Sequence, residues 1–249
     1  MNRARASIIL TLAATLALGG CAGTPAPSVI DGDTPPDTPA AATTANPVAI
    51  YDPWEGFNRR MYRFNAAADR YVLLPALRAY RTVAPRPVRT GVANFLDNLD
   101  EITTFWNALL QAKPATAGVT LARFAINTTA GIGGLFDPAT ALGLQRREED
   151  FGQTLGVWGV DTGPYLVLPF FGPSTLRDGA GLSADLAVEF ALDPLALEDH
   201  DVRRLAYWTL YALDKRDRTE FRYYQTGSPF EYTLVRLVYV NYRQLEIER

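Results

Sequence analysis

The chain has 249 residues, a formal net charge of −3 and 48% hydrophobic residues. A mildly acidic chain offers no basic surface to a phosphate backbone, so we exclude nucleic acid as its main partner. With a single cysteine it has no disulfide, and its length suits one sizeable domain.

The N-terminus resembles a bacterial lipoprotein signal. Arg3 and Arg5 precede an apolar stretch that is too short to span a bilayer and is typical of a secretory signal. Small residues then lead to Cys21, as in a lipobox. We expect residues 1–20 to be a lipoprotein signal peptide and Cys21 to be lipidated, and Ala22 after it indicates the outer membrane. A chance cysteine near an ordinary cleavage site is the alternative.

The next segment is predicted to be a tether. Residues 21–50 are rich in Pro, Ala, Thr and Asp and contain almost nothing large and apolar, so they cannot build a core. Acyl chains on Cys21 would anchor the protein durably, since each buried methylene contributes about 0.8 kcal/mol. The folded domain should therefore comprise residues 51–249.

The first helix of this domain is predicted to be amphipathic. Asp52-Pro53-Trp54-Glu55 combines a capping aspartate, a proline and a glutamate that can reach back to the cap. Large apolar residues follow at spacings of three and four, and arginines lie off that stripe. The stripe could be core or could face a membrane interface, and both uses remain open. It comprises Trp54, Phe57, Met61, Phe64, Ala68 and Tyr71.

Further helices are predicted along the chain. A second stripe contains Trp106 and ends near Pro114, and a third, glycine-rich segment follows to about residue 136. Asp137-Pro138 and Asp193-Pro194 repeat the helix-start signal of the first helix. The remaining predicted helices are 182–192, 202–224 and 230–247. The last segment also suits a strand, but helix is favoured because no partner strand is evident.

Residues 149–179, EDFGQTLGVWGVDTGPYLVLPFFGPSTLRDG, are predicted to form a long apolar loop. Its glycines and prolines are typical of a loop, whereas its aromatic and aliphatic residues should be buried in protein, lipid or a ligand. We expect the glycines to let it bend, and a rigid plug is the alternative. The candidate functional residues of this segment are Gly152, Gly156, Gly163, Pro164, Tyr165, Pro169, Phe170 and Gly172.

Catalytic and metal-binding signals are missing from the sequence. His200 is the only histidine and lies among acidic residues, so we expect neither a zinc site nor any other cofactor. The hydrolase motif G-x-S-x-G is absent, and Ser174-Thr175 is better interpreted as a helix cap. Glu148-Glu149-Asp150 is interpreted as a solvated charge cluster. No catalytic residue is therefore predicted, and the protein is not expected to be an enzyme.

Several ordered motifs carry a family resemblance. Residues 52–59 read DPWEGFNR, residues 131–134 read GIGG, and residues 151–156 read FGQTLG. GPY at 163–165 and LPF at 168–170 follow. The intervening pieces are Asn94-Phe95, Asn98-Leu99, Arg123-Phe124, Asn127-Thr128, Asp137 and Leu176-Arg177-Asp178. From about Asp52 into the 180s the chain resembles the MlaA/VacJ family of outer-membrane lipoproteins.

The resemblance implies an all-α fold. It would be a single ring-like domain of amphipathic helices lying in the membrane plane, in the periplasmic leaflet of the outer membrane, around an amphiphilic channel. The implied function is removal of mislocalised phospholipids from the outer leaflet, which maintains lipid asymmetry. The implied partners are phospholipids, a trimeric porin and the periplasmic lipid carrier MlaC. A porin-associated structural lipoprotein without a transport path is the alternative, and a lipid-hydrolysing enzyme is a third possibility.

Overall fold

The structure, a computed structural model, describes residues 50–196 and 201–249. Over these residues the protein is mostly helical with one two-stranded sheet, which confirms the predicted helical class. The predicted signal peptide, Cys21, most of the tether, and His200 lie outside the described residues. The elements are α1 (Glu55–Ala68), a π-helical segment (Asp69–Leu73), α2 (Leu74–Val83), α3 (Arg86–Leu110), α4 (Pro114–Thr129), α5 (Pro138–Ala141), α6 (Phe151–Val157), β1 (Tyr165–Leu168), β2 (Gly172–Thr175), α7 (Leu176–Leu192), α8 (Asp201–Arg218) and α9 (Glu231–Glu248).

The segment predicted to be a long loop is largely ordered secondary structure. It contains α6, an antiparallel hairpin in which Tyr165 pairs with Thr175 and Leu168 with Gly172, and the start of α7. The prediction was wrong because it interpreted every glycine of the segment as a sign of a loop, although some glycines allow helices to pack closely. Gly152 lies inside α6, where a Cβ on the facing Gly181 would come within 2.2 Å of its backbone nitrogen. Gly152 and Gly181 thus permit close packing of α6 against α7, and Gly152 does not mark a loop.

Two asparagines of α1 complete the hydrogen bonding of the hairpin. The Asn58 side chain donates to the Tyr165 carbonyl at 2.9 Å and accepts the Val167 amide at 2.9 Å. The Asn65 side chain donates to the Leu168 carbonyl at 2.8 Å and accepts the Phe170 amide at 2.7 Å. Each side-chain amide thus takes the position that a backbone amide of a third strand would fill.

The predicted helix starts had different outcomes. Asp137 caps α5 by accepting the Thr140 amide, and Thr175 caps α7 by accepting the Asp178 amide, as predicted. The start at Asp193 was wrong, because Asp193 ends α7 in a left-handed conformation. Asp52 does not cap α1, because its carboxylate instead accepts hydrogen bonds from Asn58, Tyr232 and Arg236.

The C-terminal segment is helix α9, as favoured from sequence. The prediction that no other strand is present was wrong, because β1 and β2 lie within the segment predicted to be a loop. Arg243 of α9 binds the carboxylates of Asp150 and Asp178. Asp150 caps the start of α6, and Asp178 lies in the first turn of α7. One guanidinium therefore joins the beginnings of two helices to the C-terminal helix.

The helices α3 and α4 pack against each other through polar side chains. Arg123 is 2% exposed and forms an ion pair with the buried Glu101 at 2.6 Å and a second with Asp137 at 3.2 Å. Burial raises the pKa of Glu101, and the hydrogen bond and charge of Arg123 oppose this rise. The buried polar residues of the two helices are Asn98, Glu101, Thr104, Asn107, Gln111, Thr116, Thr120, Arg123 and Asn127.

The apolar core is small and built around tyrosines. Tyr62, Tyr165, Val167 and Tyr232 form one buried cluster that joins α1, the hairpin and α9. The ring of Tyr62 meets that of Tyr232 edge to face, at 5.8 Å between centroids. This cluster places the hairpin against α1 on the side where the asparagines bind it.

Replacing Asn58 tests the role of the side-chain amide. We expect Asn58→Ala to lower the free energy of unfolding by about 2–4 kcal/mol, because each buried polar group left unpaired costs about 1–3 kcal/mol. Chemical denaturation in detergent solution measures this loss. Asn241→Ala is the control, since Asn241 is exposed and bonds only its own helix. Equal losses in the two variants would contradict the role given to Asn58.

Candidate functional site: an amphiphilic cavity

The predicted aromatic stripe lies mostly on the outside of the protein. Trp54, Phe57, Phe64 and Trp106 are 41–51% exposed, and Met61 is half-buried. The buried face of α1 instead carries Asn58, Tyr62 and Asn65. The usual relation between an apolar stripe and a buried face is therefore inverted in this helix.

The predicted loop residues occupy several environments. Tyr165 is fully buried in the tyrosine core, while Pro169 and Phe170 lie exposed at the hairpin turn. Phe170 is 71% exposed, has a positive φ of 68°, and meets the ring of Phe64 edge to face at 5.1 Å. The other candidates are Gly152 and Gly156 inside α6, Gly163 and Gly172 with positive φ before and after β1, and the half-buried Pro164.

A cavity of about 200 Å³ lies among α3, α6, α7 and α8. Its walls are mostly apolar, and a strip of polar side chains crosses them. The apolar lining includes Leu99, Ile102, Trp106, Leu110, Phe151, Val188 and Leu192, and the polar lining includes Asp100, Asn107, Asp185, Glu189 and Tyr207. An amphiphilic molecule could place its polar group on the strip and its chains against the walls.

Hydrogen bonds hold the polar strip in place. Asp185 accepts the Asn107 side-chain amide at 3.0 Å and the Phe151 backbone amide at 2.9 Å. Glu189 accepts the Tyr207 hydroxyl at 2.7 Å. Burial raises the pKa of both carboxyl groups, and these hydrogen bonds only partly oppose the rise. The surroundings of the strip therefore stabilise the ionised form of these carboxyl groups less well than water does.

Sequence reasoning missed the residues of this strip. Asp185 and Glu189 lie in the helix predicted over 182–192, and no role was predicted for either residue. Their spacing of four places them on one helix face, which was the available signal. Asn107 lies within the second predicted stripe, which was defined by its apolar residues.

The described residues offer neither a membrane-spanning helix nor a cluster of metal ligands. No helix in the described ranges is both long and apolar enough to cross a membrane. In the same part of the chain, no group of three or more His, Cys, Asp or Glu side chains is placed to hold a metal ion.

The fold and the cavity define a class of protein. It is a helical protein in which most buried polar side chains are hydrogen-bonded and many large aromatic residues are exposed, an arrangement suited to apolar surroundings. Residues 50–246 match the model of the MlaA lipoprotein family, and the chain belongs to that family.

Individual relatives agree with this assignment. The chain is 42% identical over 169 residues to a protein of Shigella flexneri, covering 66% of this chain and 65% of that one. It is 46% identical over 138 residues to one of Escherichia coli K12, covering 54% and 55%. Both are named intermembrane phospholipid transport system lipoprotein MlaA. These alignments span less than two thirds of either relative's length.

A solved structure is also similar. It comes from work on the structural basis for maintenance of bacterial outer membrane lipid asymmetry, with 33% identity and a TM-score of 0.64. The match covers 79% of this chain and 98% of the solved chain.

The pH dependence of stability tests the buried state of Glu189. Because its pKa in the folded protein is raised, the carboxyl group favours folding below the unfolded pKa, and this contribution is lost as the pH rises through the folded pKa. We expect Glu189→Gln to raise the melting temperature at neutral pH and to lose this advantage in acid. Glu220→Gln, at an exposed carboxylate outside the cavity, is the control. A Glu189→Gln protein that melts at the wild-type temperature at neutral pH would contradict the raised pKa.

Proposed function

We propose that this chain is an outer-membrane lipoprotein that forms a passage for phospholipids. It removes mislocalised phospholipids from the outer leaflet and passes them to the periplasmic carrier MlaC. It is anchored in the periplasmic leaflet by a lipidated Cys21 and works beside a trimeric porin. Membership of the MlaA family and the names of the relatives support this proposal.

The observation that carries the proposal is the amphiphilic cavity inside an apolar exterior. A phospholipid needs polar contacts for its headgroup and apolar contacts for its tails, and the cavity lining offers both. Exposed aromatic residues such as Trp106 and Phe170 suit a surface that rests in lipid. The helices would lie in the membrane plane, which brings the cavity to the level of the lipids.

A porin-associated structural lipoprotein without a transport path is the alternative. Such a protein would need the apolar exterior but would have no use for a polar strip inside a cavity. Burial raises the pKa of the half-buried Glu189, so an ionised carboxylate there costs stability even with the Tyr207 hydrogen bond. The cavity therefore favours transport over a purely structural role.

The proposed transport is not enzymatic, and two substitutions test this. Deleting the gene should leave excess phospholipid in the outer leaflet and make the cell sensitive to detergent. Complementation with His200→Ala or Ser174→Ala should restore wild-type lipid transfer, since neither residue is proposed to act chemically. Loss of transfer in either folded variant, or release of lysolipid from labelled phospholipid, would indicate hydrolysis instead.

We further propose that the hairpin moves during transport. Its turn contacts α1 mainly through the Phe64 and Phe170 rings and through Asn65. Positive φ angles at Gly163 and Gly172 bracket β1 and allow a change in direction there.

A cross-link between α1 and the hairpin turn tests this movement. Joining Phe64→Cys to Phe170→Cys with a short thiol reagent should block lipid transfer while folding and porin association persist. Leu166→Cys joined to Ser174→Cys is the control, because these residues pair within the hairpin and leave it free to move as a unit. Full transfer in the first cross-linked protein would refute the movement and favour a rigid plug.

A further inference from the structure

A second cavity, of about 550 Å³, lies between α1 and the segment that leads into α9. It shares no lining residue with the amphiphilic cavity. Two arginines of α1, Arg59 and Arg63, form one side, and Tyr224, Ser228 and Tyr232 lie on the other. Its lining thus combines positive charge, a hydroxyl group and aromatic rings.

Glu231 also lines this cavity, but its carboxylate is already occupied. It accepts hydrogen bonds from the Tyr62 hydroxyl at 2.7 Å, the Tyr224 amide at 2.5 Å and the Thr226 hydroxyl at 2.7 Å. Burial would raise the pKa of Glu231, but these hydrogen bonds outweigh it and lower the pKa, so the group stays ionised. The carboxylate therefore shapes the turn at 224–231 and leaves the arginines to face the cavity.

The two arginines differ in how they are held. The Arg59 guanidinium lies 4.3 Å from the centroid of the Tyr232 ring and binds Glu55 at 2.6 Å. The Arg63 side chain has one hydrogen bond, from Nε to the Arg59 carbonyl at 3.3 Å. Arg63 is exposed, and among the described residues no carboxylate lies within ion-pair distance of it, so its solvated terminal nitrogens are accessible to a ligand.

The buried arginines among the described residues, Arg123, Arg177 and Arg243, each bind at least one carboxylate of the chain. Arg63 is exposed at the cavity, so water solvates its guanidinium group and no internal carboxylate is needed. An anion that enters the cavity would replace this water with charge-assisted hydrogen bonds.

We infer that this second cavity binds a phosphate group through Arg63, with Arg59 and the Ser228 hydroxyl beside it. The planar fork of a guanidinium group matches two phosphate oxygens, and the hydroxyl can donate to a third. The exposed residues Phe64 and Phe230 are the sequence neighbours of the lining residues Arg63 and Glu231. The inference deepens the proposed function by making this cavity a phospholipid headgroup site, although a soluble phosphate ester has the same chemistry.

Binding by variants of the full-length protein in detergent tests the site. The probes are phosphatidylethanolamine and phosphatidylglycerol carried in mixed micelles of the same detergent, and glycerol phosphate as the soluble phosphate. We expect Arg63→Ala to weaken binding about tenfold or more, the loss typical of a charge-assisted hydrogen bond. Arg63→Lys should restore part of it, because it keeps the charge without the fork. Arg60→Ala is the matched control, since Arg60 is an exposed neighbour that lines neither cavity.

The outcomes separate the sources of the phosphate and the two proposals. Arg63-dependent binding of the micellar lipids alone assigns the site to a lipid headgroup, and equal dependence with glycerol phosphate assigns it to a soluble ester. Equal effects of Arg63→Ala and Arg60→Ala on both probes, in variants that melt like the wild type, would overturn the site. Equal effects of the two variants together with normal lipid transfer would overturn the site and leave the proposed transport standing. Arg63-dependent binding without any lipid transfer would support the site and refute the proposed transport. Arg63-dependent binding only of an acidic protein would overturn the phosphate assignment.

Discussion

Two side-chain amides hold the hairpin in place of a third strand, and the position of the hairpin against α1 depends on them. An isolated two-stranded hairpin is only marginally stable in water, and its open edge carries unpaired backbone groups. Asn58 and Asn65 are seven residues apart, two turns of α1, so both point to the same edge of the hairpin. They satisfy that edge without another strand, which lets β1 and β2 exist within a helical protein.

Polar side chains also join the helices elsewhere in the interior. Helix α3 meets α4 through Glu101 and Arg123, and α9 meets α6 and α7 through Arg243. At Asp178, burial would raise the pKa, but the hydrogen bonds and charges of Arg243 and Arg177 outweigh it and lower the pKa. Buried ion pairs add little net stability compared with apolar packing, but removing one partner is strongly destabilising. The interior therefore specifies one arrangement of helices and leaves the aromatic residues for the exterior.

The sequence predicted the presence of the helices better than it predicted which face of each is buried. The stripe containing Phe57 and Phe64 correctly indicated α1, but the rule that the apolar face is buried assumes water outside. Asp52 had the composition of a helix cap, yet residues from α9, distant in sequence, bind its carboxylate. The cavity lining could not be predicted for the same reason. Asn107 and Glu189 lie on helices that are distant in sequence, and they line one cavity only when α3, α7 and α8 assemble. Family motifs gave the order of the pieces and did not give these contacts.

The exposed aromatic residues make the stability of this protein depend on what surrounds it. In water, side chains such as Phe170 and Phe171 gain little from folding, because they stay exposed in the native state. An apolar phase that covers them binds the folded arrangement and acts as a ligand by thermodynamic linkage. The melting temperature is then a joint property of the chain and the amphiphile around it, and a value without the detergent or lipid concentration describes neither.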